Sequence, residues 1–385
     1  MTDFQTPAVA KIPATIVTGF LGAGKTTLIR NLLTNAGGRR IALIVNEFGD
    51  MGFDGSLLDG CADPSCSADD VVELTNGCIC CTVADDFLPA MEMLLARETP
   101  PDHIVIETSG LALPQPLVRA FTWPSVKTRV TVDGVVTVLD AAALAEGRIV
   151  LDEEALAAQR AADETLDHDN PVEELFHDQL ACADLVVLNK ADLVDDHALE
   201  HIREHIAEDV RAGVEIIAAE KGSLPIDVLL GRSSAAEDDL AARRAHHHHH
   251  HHDDDDHDHD HDHDHDHDHD DDHDHDHDHD HDDHDHHHDD FESYVVTAPE
   301  FASLKDVEAV VKQAMALKGV LRIKGAVAVS GKAAPALVQA VGPRVEAWFA
   351  AGAKAPGKLV VIGLKGLDLA AVTDALASLQ AGRAA

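Results

Sequence analysis

The sequence predicts an α/β fold, a doubly wound and mostly parallel sheet, with a small α+β domain after it. Three observations lead there. Short continuous apolar runs alternate with stretches of helical periodicity over residues 12–231. A glycine-rich segment, Gly19-Phe20-Leu21-Gly22-Ala23-Gly24-Lys25-Thr26, joins the first run to the first helical stretch. A tract of only His and Asp, residues 246–290, separates this region from a shorter, strand-rich one.

The elements follow in order. Residues 12–18 read as a buried strand, and Thr27 to Leu33 as a helix opening. Residues 41–46 form a second apolar run. A Gly- and Asp-rich loop follows from Glu47 to Asp70, then a short strand at 71–74. Residues 84–97 carry Phe87, Met91, Leu94 and Leu95 at helical spacing. Further strands are expected at 103–107, 135–140 and 184–189, with helices at 172–183 and 195–206 between or after them. Residues 232–245 lose periodicity, so the linker is drawn over 232–290, with the His/Asp tract disordered because it has no apolar surface to bury. From Phe291 the pattern gives strands at 294–296, 320–329 and 358–363. Helices are expected at 304–317 and 369–379, and an extended stretch at 337–349. The expected domains are therefore 1–231, the linker 232–290, and 291–385.

Residues 19–26 fit G-x-x-x-x-G-K-[ST], the P-loop pattern of NTPases, in the strand-loop-helix context that it requires. Glycines let backbone N–H groups turn toward phosphate oxygens, and the helix N-terminus adds partial positive charge. Lys25 is expected on the β- and γ-phosphates and the Thr26 hydroxyl on Mg²⁺. Asn189-Lys190-Ala191-Asp192 is N-K-x-D at the end of an apolar strand. An Asp carboxylate accepts from both N1–H and the exocyclic amine of guanine, a donor pair that adenine lacks. Asn189 would tie the base loop to the P-loop, and residues 219–222 would close over the base. Glu107-Thr108-Ser109-Gly110 ends a buried strand, where Glu107 fits a Mg²⁺-holding acid and Gly110 a donor to the γ-phosphate. Glu47 and Asp50 are candidates for Mg²⁺ or a transferred metal. Gln115 is a weak candidate for orienting water, and that role is left open.

Six cysteines, five of them between 61 and 81, do not form a disulfide framework. Cys78, Cys80 and Cys81 place three thiolates within four residues, which suits Zn²⁺, Cu⁺ or tetrahedral Co²⁺. A redox pair or small turn residues are the alternative. Cys61 and Cys66 are read as incidental and Cys182 as core. The tract holds 23 His and 22 Asp, beginning with the run His246 to His252, and should bind divalent metal. A solvated acidic linker is the plainer reading of it.

Acids outnumber Lys and Arg 71 to 29, a formal net charge of −42. With no basic footprint, nucleic acid is not an expected partner. No apolar run reaches about 18 residues, so no membrane span is expected. No basic, then apolar, leader begins the sequence, which points to a cytoplasmic setting.

Together, GFLGAGKTTL, NEFG, GCICC, ETSG and NKAD resemble, in order, the motifs of the CobW family of P-loop GTPases. The resemblance extends over the His-rich insert and the last domain. Its phosphate motif maps onto Gly19 to Thr27, its base motif onto Asn189 to Asp192, and its cysteine element onto Cys78, Cys80 and Cys81. It implies a GTP-dependent metallochaperone that uses GTP and Mg²⁺. The stretches LALPQPL and TVDGVVTVLDAA look closer to the cobalamin-linked branch than to the zinc-linked one. That branch implies Co²⁺ as cargo and cobaltochelatase as recipient. Zn²⁺ cargo and a His/Asp-tract metal buffer are the alternatives, and a thiolate site alone does not select cobalt.

Overall fold

The computed structural model describes residues 11–46, 71–74, 87–162, 172–243, 291–342, 344–350 and 357–378. Described residues on both sides of the His/Asp tract belong to one compact unit. The chain opens with β1 (Ile12–Thr18), α1 (Lys25–Thr34), β2 (Ile41–Asn46), β3 (Val71–Leu74), α2 (Leu88–Leu95) and β4 (His103–Glu107). It continues through α3 (Pro114–Ala120), α4 (Pro124–Lys127), β5 (Val130–Asp140), α5 (Ala141–Ala145), α6 (Glu153–Ala162) and α7 (Val172–Cys182). Then come β6 (Leu185–Asn189), α8 (Asp196–Asp209), β7 (Glu215–Ala219) and α9 (Ile226–Leu229).

These strands form a seven-stranded sheet in the order β3-β2-β4-β1-β5-β6-β7, every pair parallel. Parallel strands are covered on both faces, and the continuous apolar runs meet that demand. Ala42 and Ile44, with Ile104 and Ile106, pack on one face with α2 and α3. Leu43 and Val45, with Val105, pack on the other with α1 and α9. The central strand β1 lies between β4 and β5, where the strand order changes direction. Ligand crevices in such sheets open at this place, beyond the carboxyl ends.

β5 starts at Val130, five residues earlier than the apolar run suggests. Thr131 and Asp133 interrupt the run, yet both are satisfied inside the fold. Thr131 Oγ1 donates to Glu237 at 2.6 Å, and Asp133 accepts from Ser233 N at 2.8 Å and Gly231 N at 2.5 Å. The same bonds correct the linker drawn over 232–290. Residues 232–243 are a packed clasp, not linker: Arg232, Ser234, Ala236, Glu237 and Arg243 are buried. Arg243 donates to both oxygens of Asp184, at 2.7 and 3.0 Å, and to Cys182 O at 2.8 Å. Pairing of single charged groups, rather than apolar periodicity, holds this segment, so a hydrophobic pattern could not reveal it. Residues 244–290 lie outside the described residues.

The second sheet comprises β8 (Phe291–Thr297), β9 (Val320–Val327), β10 (Ala336–Val341), β11 (Arg344–Phe349) and β12 (Lys358–Leu364). It is antiparallel, ordered β11-β10-β9-β12-β8. The stretch expected to be extended at 337–349 is the β10–β11 hairpin, turning near Gly342 at φ 53°. On one face Leu359 and Val361 pack with α10 (Leu304–Met315) and α11 (Leu369–Ala377). On the other, Leu321 and Ile362 join the core beneath α1 and α9. Arg322 Nη1 donates to Leu230 O at 2.8 Å, Gln339 Nε2 to Gly231 O at 2.9 Å, and Arg344 to Ser234 O. No helix among the described residues is long and apolar enough to cross a membrane.

Candidate functional site

Four segments leave the carboxyl ends of β1, β4, β6 and β7 and meet in one crevice. The phosphate loop leaves β1. Gly19, at φ 135°, must be glycine because a Cβ there would lie 2.1 Å from Val138 O. Gly22 and Gly24 also take positive φ, 78° and 98°. α1 then begins at Lys25 with no side chain capping its N-terminus. Its first N–H groups are left for an anion. Thr26 and Thr27 are exposed at that end.

Lys25 is buried, and its Nζ donates to Gly19 O at 2.7 Å and Phe20 O at 3.2 Å. Burial pushes its pKa down, opposed by the charge of Glu107. Glu107, at the end of β4, accepts from Thr26 Oγ1 at 2.9 Å. Burial pushes its pKa up, against the opposing effects of Lys25 and Thr26. A partly compensated Lys/Glu pair beside a hydroxyl is therefore held at the loop mouth. The hydroxyl and carboxylate oxygens side by side fit the all-oxygen preference of Mg²⁺. A triphosphate offers Lys25 charge-assisted bonds in place of two neutral carbonyls.

The base loop follows β6. Asn189 Nδ2 donates to Ala23 O at 2.8 Å, and its Oδ1 accepts from Gly222 N at 2.8 Å. One buried amide thus joins the phosphate loop, the base loop and the segment after β7. Gly24 lies so close that a Cβ would meet Asn189 Nδ2 at 2.2 Å. Lys190 and Lys221, both non-glycine, adopt left-handed φ of 62° and 48° on these two loops. Such strain collects where surrounding contacts over-determine the backbone. Lys190 Nζ is anchored on Asp140 Oδ2 at 2.6 Å. Asp192 Oδ1 is buried without a hydrogen-bond partner among the described residues. A buried acceptor waiting for donors fits the N–H edge of guanine.

The structure therefore gathers Gly19, Gly22, Gly24, Lys25, Thr26, Thr27, Glu107, Gly110, Asn189, Lys190 and Asp192 at one edge of the sheet. Glu47, Asp50, Cys61, Cys66, Cys78, Cys80, Cys81, His246 and His252 lie outside the described residues. Among those described, no group of three or more His, Cys, Asp or Glu is placed to hold a metal. Cys182 is core as expected, its thiol pushed up to about 12 by burial. Gln115 does not serve the crevice, because its Nε2 donates to Arg243 O at 2.5 Å in the clasp.

Several partners were not read from the sequence. Gln179 of α7 is fully buried, and its Nε2 donates to Gly110 O at 3.2 Å and Ala112 O at 3.1 Å. Asn31 Nδ2 donates to Lys221 O at 2.8 Å. A polar residue on the buried face of α7 was the available signal for Gln179, and an acid ending an apolar strand was the signal for Asp140.

A parallel sheet with a P-loop at its switch point and an N-K-x-D loop tied to it defines a P-loop nucleotide-binding protein. Residues 13–218 match the CobW/HypB/UreG nucleotide-binding domain, and residues 291–380 match the cobalamin synthesis protein CobW C-terminal domain. The chain belongs to the CobW family. It is 48% identical over 376 residues to a Sinorhizobium protein named zinc chaperone CobW, covering 96% of this chain and 97% of that one. A Pseudomonas aeruginosa protein of the same name is 45% identical over 377 residues, covering 96% and 91%. The zinc-regulated GTPase metalloprotein activator 1 of Schizosaccharomyces pombe is 37% identical over 198 residues, covering 51% and 43%.

Proposed function

We propose that this chain is a GTP-dependent metallochaperone whose divalent cargo is held by the thiolates of Cys78, Cys80 and Cys81. The observation that carries the nucleotide half is the Asn189 bridge between phosphate and base loops, with Asp192 Oδ1, unpartnered among the described residues, on the same base loop. The chain is a GTPase. Lys25 leaves the loop carbonyls for the β- and γ-phosphates, Asp192 reads guanine, and Gly110 offers its N–H to the γ-phosphate. Thr26 and Glu107 would hold Mg²⁺, which when bound neutralises charge developing on the phosphates. The cysteine segment and α2 lead directly into β4, which ends at Glu107. Loss of the γ-phosphate would release the Gly110 segment and loosen the thiolate site through that connection.

Zn²⁺ is the cargo that this reading favours. Two relatives aligned along nearly the whole chain are named zinc chaperones, and thiolates suit Zn²⁺. Co²⁺ delivered to a cobaltochelatase is the second reading, supported by LALPQPL and TVDGVVTVLDAA. The His/Asp tract, from His246 and His252 onward, would raise the local metal concentration by tethering.

The test is a competitive Zn²⁺ and Co²⁺ titration of the full chain with Mg-GTP analogue, with Mg-GDP and with neither. Cys80→Ser separates the thiolate site from the tract. Tighter thiolate binding with the analogue than with GDP is expected. Equal affinity in all three states refutes nucleotide gating, and unchanged binding in Cys80→Ser moves the metal to the tract.

A further inference from the structure

The residue that orients the attacking water is the part of the reaction for which the motifs supply no side chain. Gly110 packs against the first turn of the phosphate loop. A Cβ on Gly110 would lie 2.8 Å from Leu21 N and 3.3 Å from Phe20 C. The same point is 3.3 Å from Gln159 Oε1, contributed by α6. The loop after β1, the loop after β4 and the Gln159 amide therefore converge on one spot. The Gln159 oxygen is buried and has no hydrogen-bond partner among the described residues.

Two glutamines hold the Gly110 segment in different ways. Gln179 takes its carbonyls, Gly110 O and Ala112 O, and fixes its path. Gln159 stands at the Cα side, next to the phosphate loop. Its helix is seated by Leu156, buried in the same apolar cluster as Phe20 and Leu111. α6 thus shares its apolar cluster with one residue from each loop, Phe20 after β1 and Leu111 after β4. Gln115, the glutamine nearer in sequence, is committed to Arg243 O.

We propose that Gln159 faces the γ-phosphate of bound GTP and orients the water that attacks it. The inference rests on the GTPase reading above. A side-chain amide suits the task because it accepts from water through Oε1 and donates to a phosphate oxygen through Nε2. The water oxygen bonds to the γ-phosphorus, and the bond from that phosphorus to the β–γ bridging oxygen breaks. The electron pair leaves with GDP, and the water proton ends on the released phosphate. Gln159 holds the water by hydrogen bonding and takes no proton.

The experiment compares the full-length wild-type chain with Gln159→Ala and Gln159→Glu. Single-turnover GTP hydrolysis, KM for GTP, and affinities for GDP and a non-hydrolysable GTP analogue are measured. Gln159→Ala is expected to lower kcat by about 10- to 100-fold, the scale of a lost positioning contact. Its GDP affinity should stay within about twofold. Gln159→Glu keeps the shape but sets a carboxylate beside the γ-phosphate, so analogue affinity falls roughly tenfold while GDP affinity holds. Hydrolysis unchanged in both variants overturns the assignment to Gln159. A parallel fall in kcat, GDP affinity and analogue affinity also overturns it, since that reports only packing. Wild-type chain that binds GTP but does not hydrolyse it overturns the GTPase reading itself.

Discussion

Asn189→Asp preserves the size and shape of a buried side chain and exchanges a single donor for an acceptor. The native amide donates to Ala23 O and accepts from Gly222 N, both at 2.8 Å. The carboxylate still accepts from Gly222, but its second oxygen faces the Ala23 carbonyl at that distance. Losing the bond and orphaning a buried carbonyl costs about 1–3 kcal/mol. Oxygen–oxygen repulsion and a charge in a site where Asn189 is 2% exposed add about 1–2 kcal/mol more. The total is about 2–5 kcal/mol. Both bonds are present without nucleotide, so the loss falls first on the folded chain; the part that the variant escapes by letting the two loops move apart is met again when nucleotide draws them together, and the loss divides between folding and binding. Thermal melting of the nucleotide-free protein reads the first part, and a GDP fluorescence titration reads the second. An even division weakens GDP binding by roughly 5- to 60-fold, at about 1.4 kcal/mol per decade. Asn189→Ala removes both bonds without adding a charge and should be milder than Asn189→Asp. A combined loss below about 1 kcal/mol in Asn189→Asp, on the scale of an ordinary surface change, refutes the bridge between phosphate and base loops.

Two further outcomes concern the body of the fold. Arg243 is 1% exposed, and burial works against its charge while Asp184 and Asp239 more than offset that. Arg243→Leu breaks a buried pair at a cost of about 3–5 kcal/mol, lowering Tm by roughly 6–15 °C. GDP affinity, at the other end of β6, should be unchanged. His103 sits 4% exposed, with Thr15 Oγ1 at 2.8 Å from its Nε2. Burial pushes its pKa below 6.5, with Asp133 opposing and Arg39 adding to the shift. The unfolded chain then binds a proton more readily than the folded one, so stability falls as pH drops below about 6.5. Urea midpoints at pH 7.5 and 5.5 should differ, and the difference should shrink in His103→Asn.

The sequence by itself determined the local chemistry. Gly19, Gly22 and Gly24 answer a backbone demand written within one loop, and Lys25 and Thr26 follow at fixed offsets. The strands around them were legible because a parallel strand is buried on both faces and its whole run is apolar. Glu107 and Asn189 were legible as polar ends of such runs. Tertiary structure alone decided the strand order, which sets β4 and β5 beside β1 and brings distant loops to one crevice. It also decided the clasp at 232–243, the early start of β5, and the convergence of Gln159 and Gln179 on Gly110. The physical reason is the same in each case. A buried charge or amide is stabilised by a partner far away in the chain, and such a pairing leaves no period in the sequence. Hydrophobic burial repeats along a strand or helix and can be read, whereas the direction of a single hydrogen bond exists only once the chain is folded.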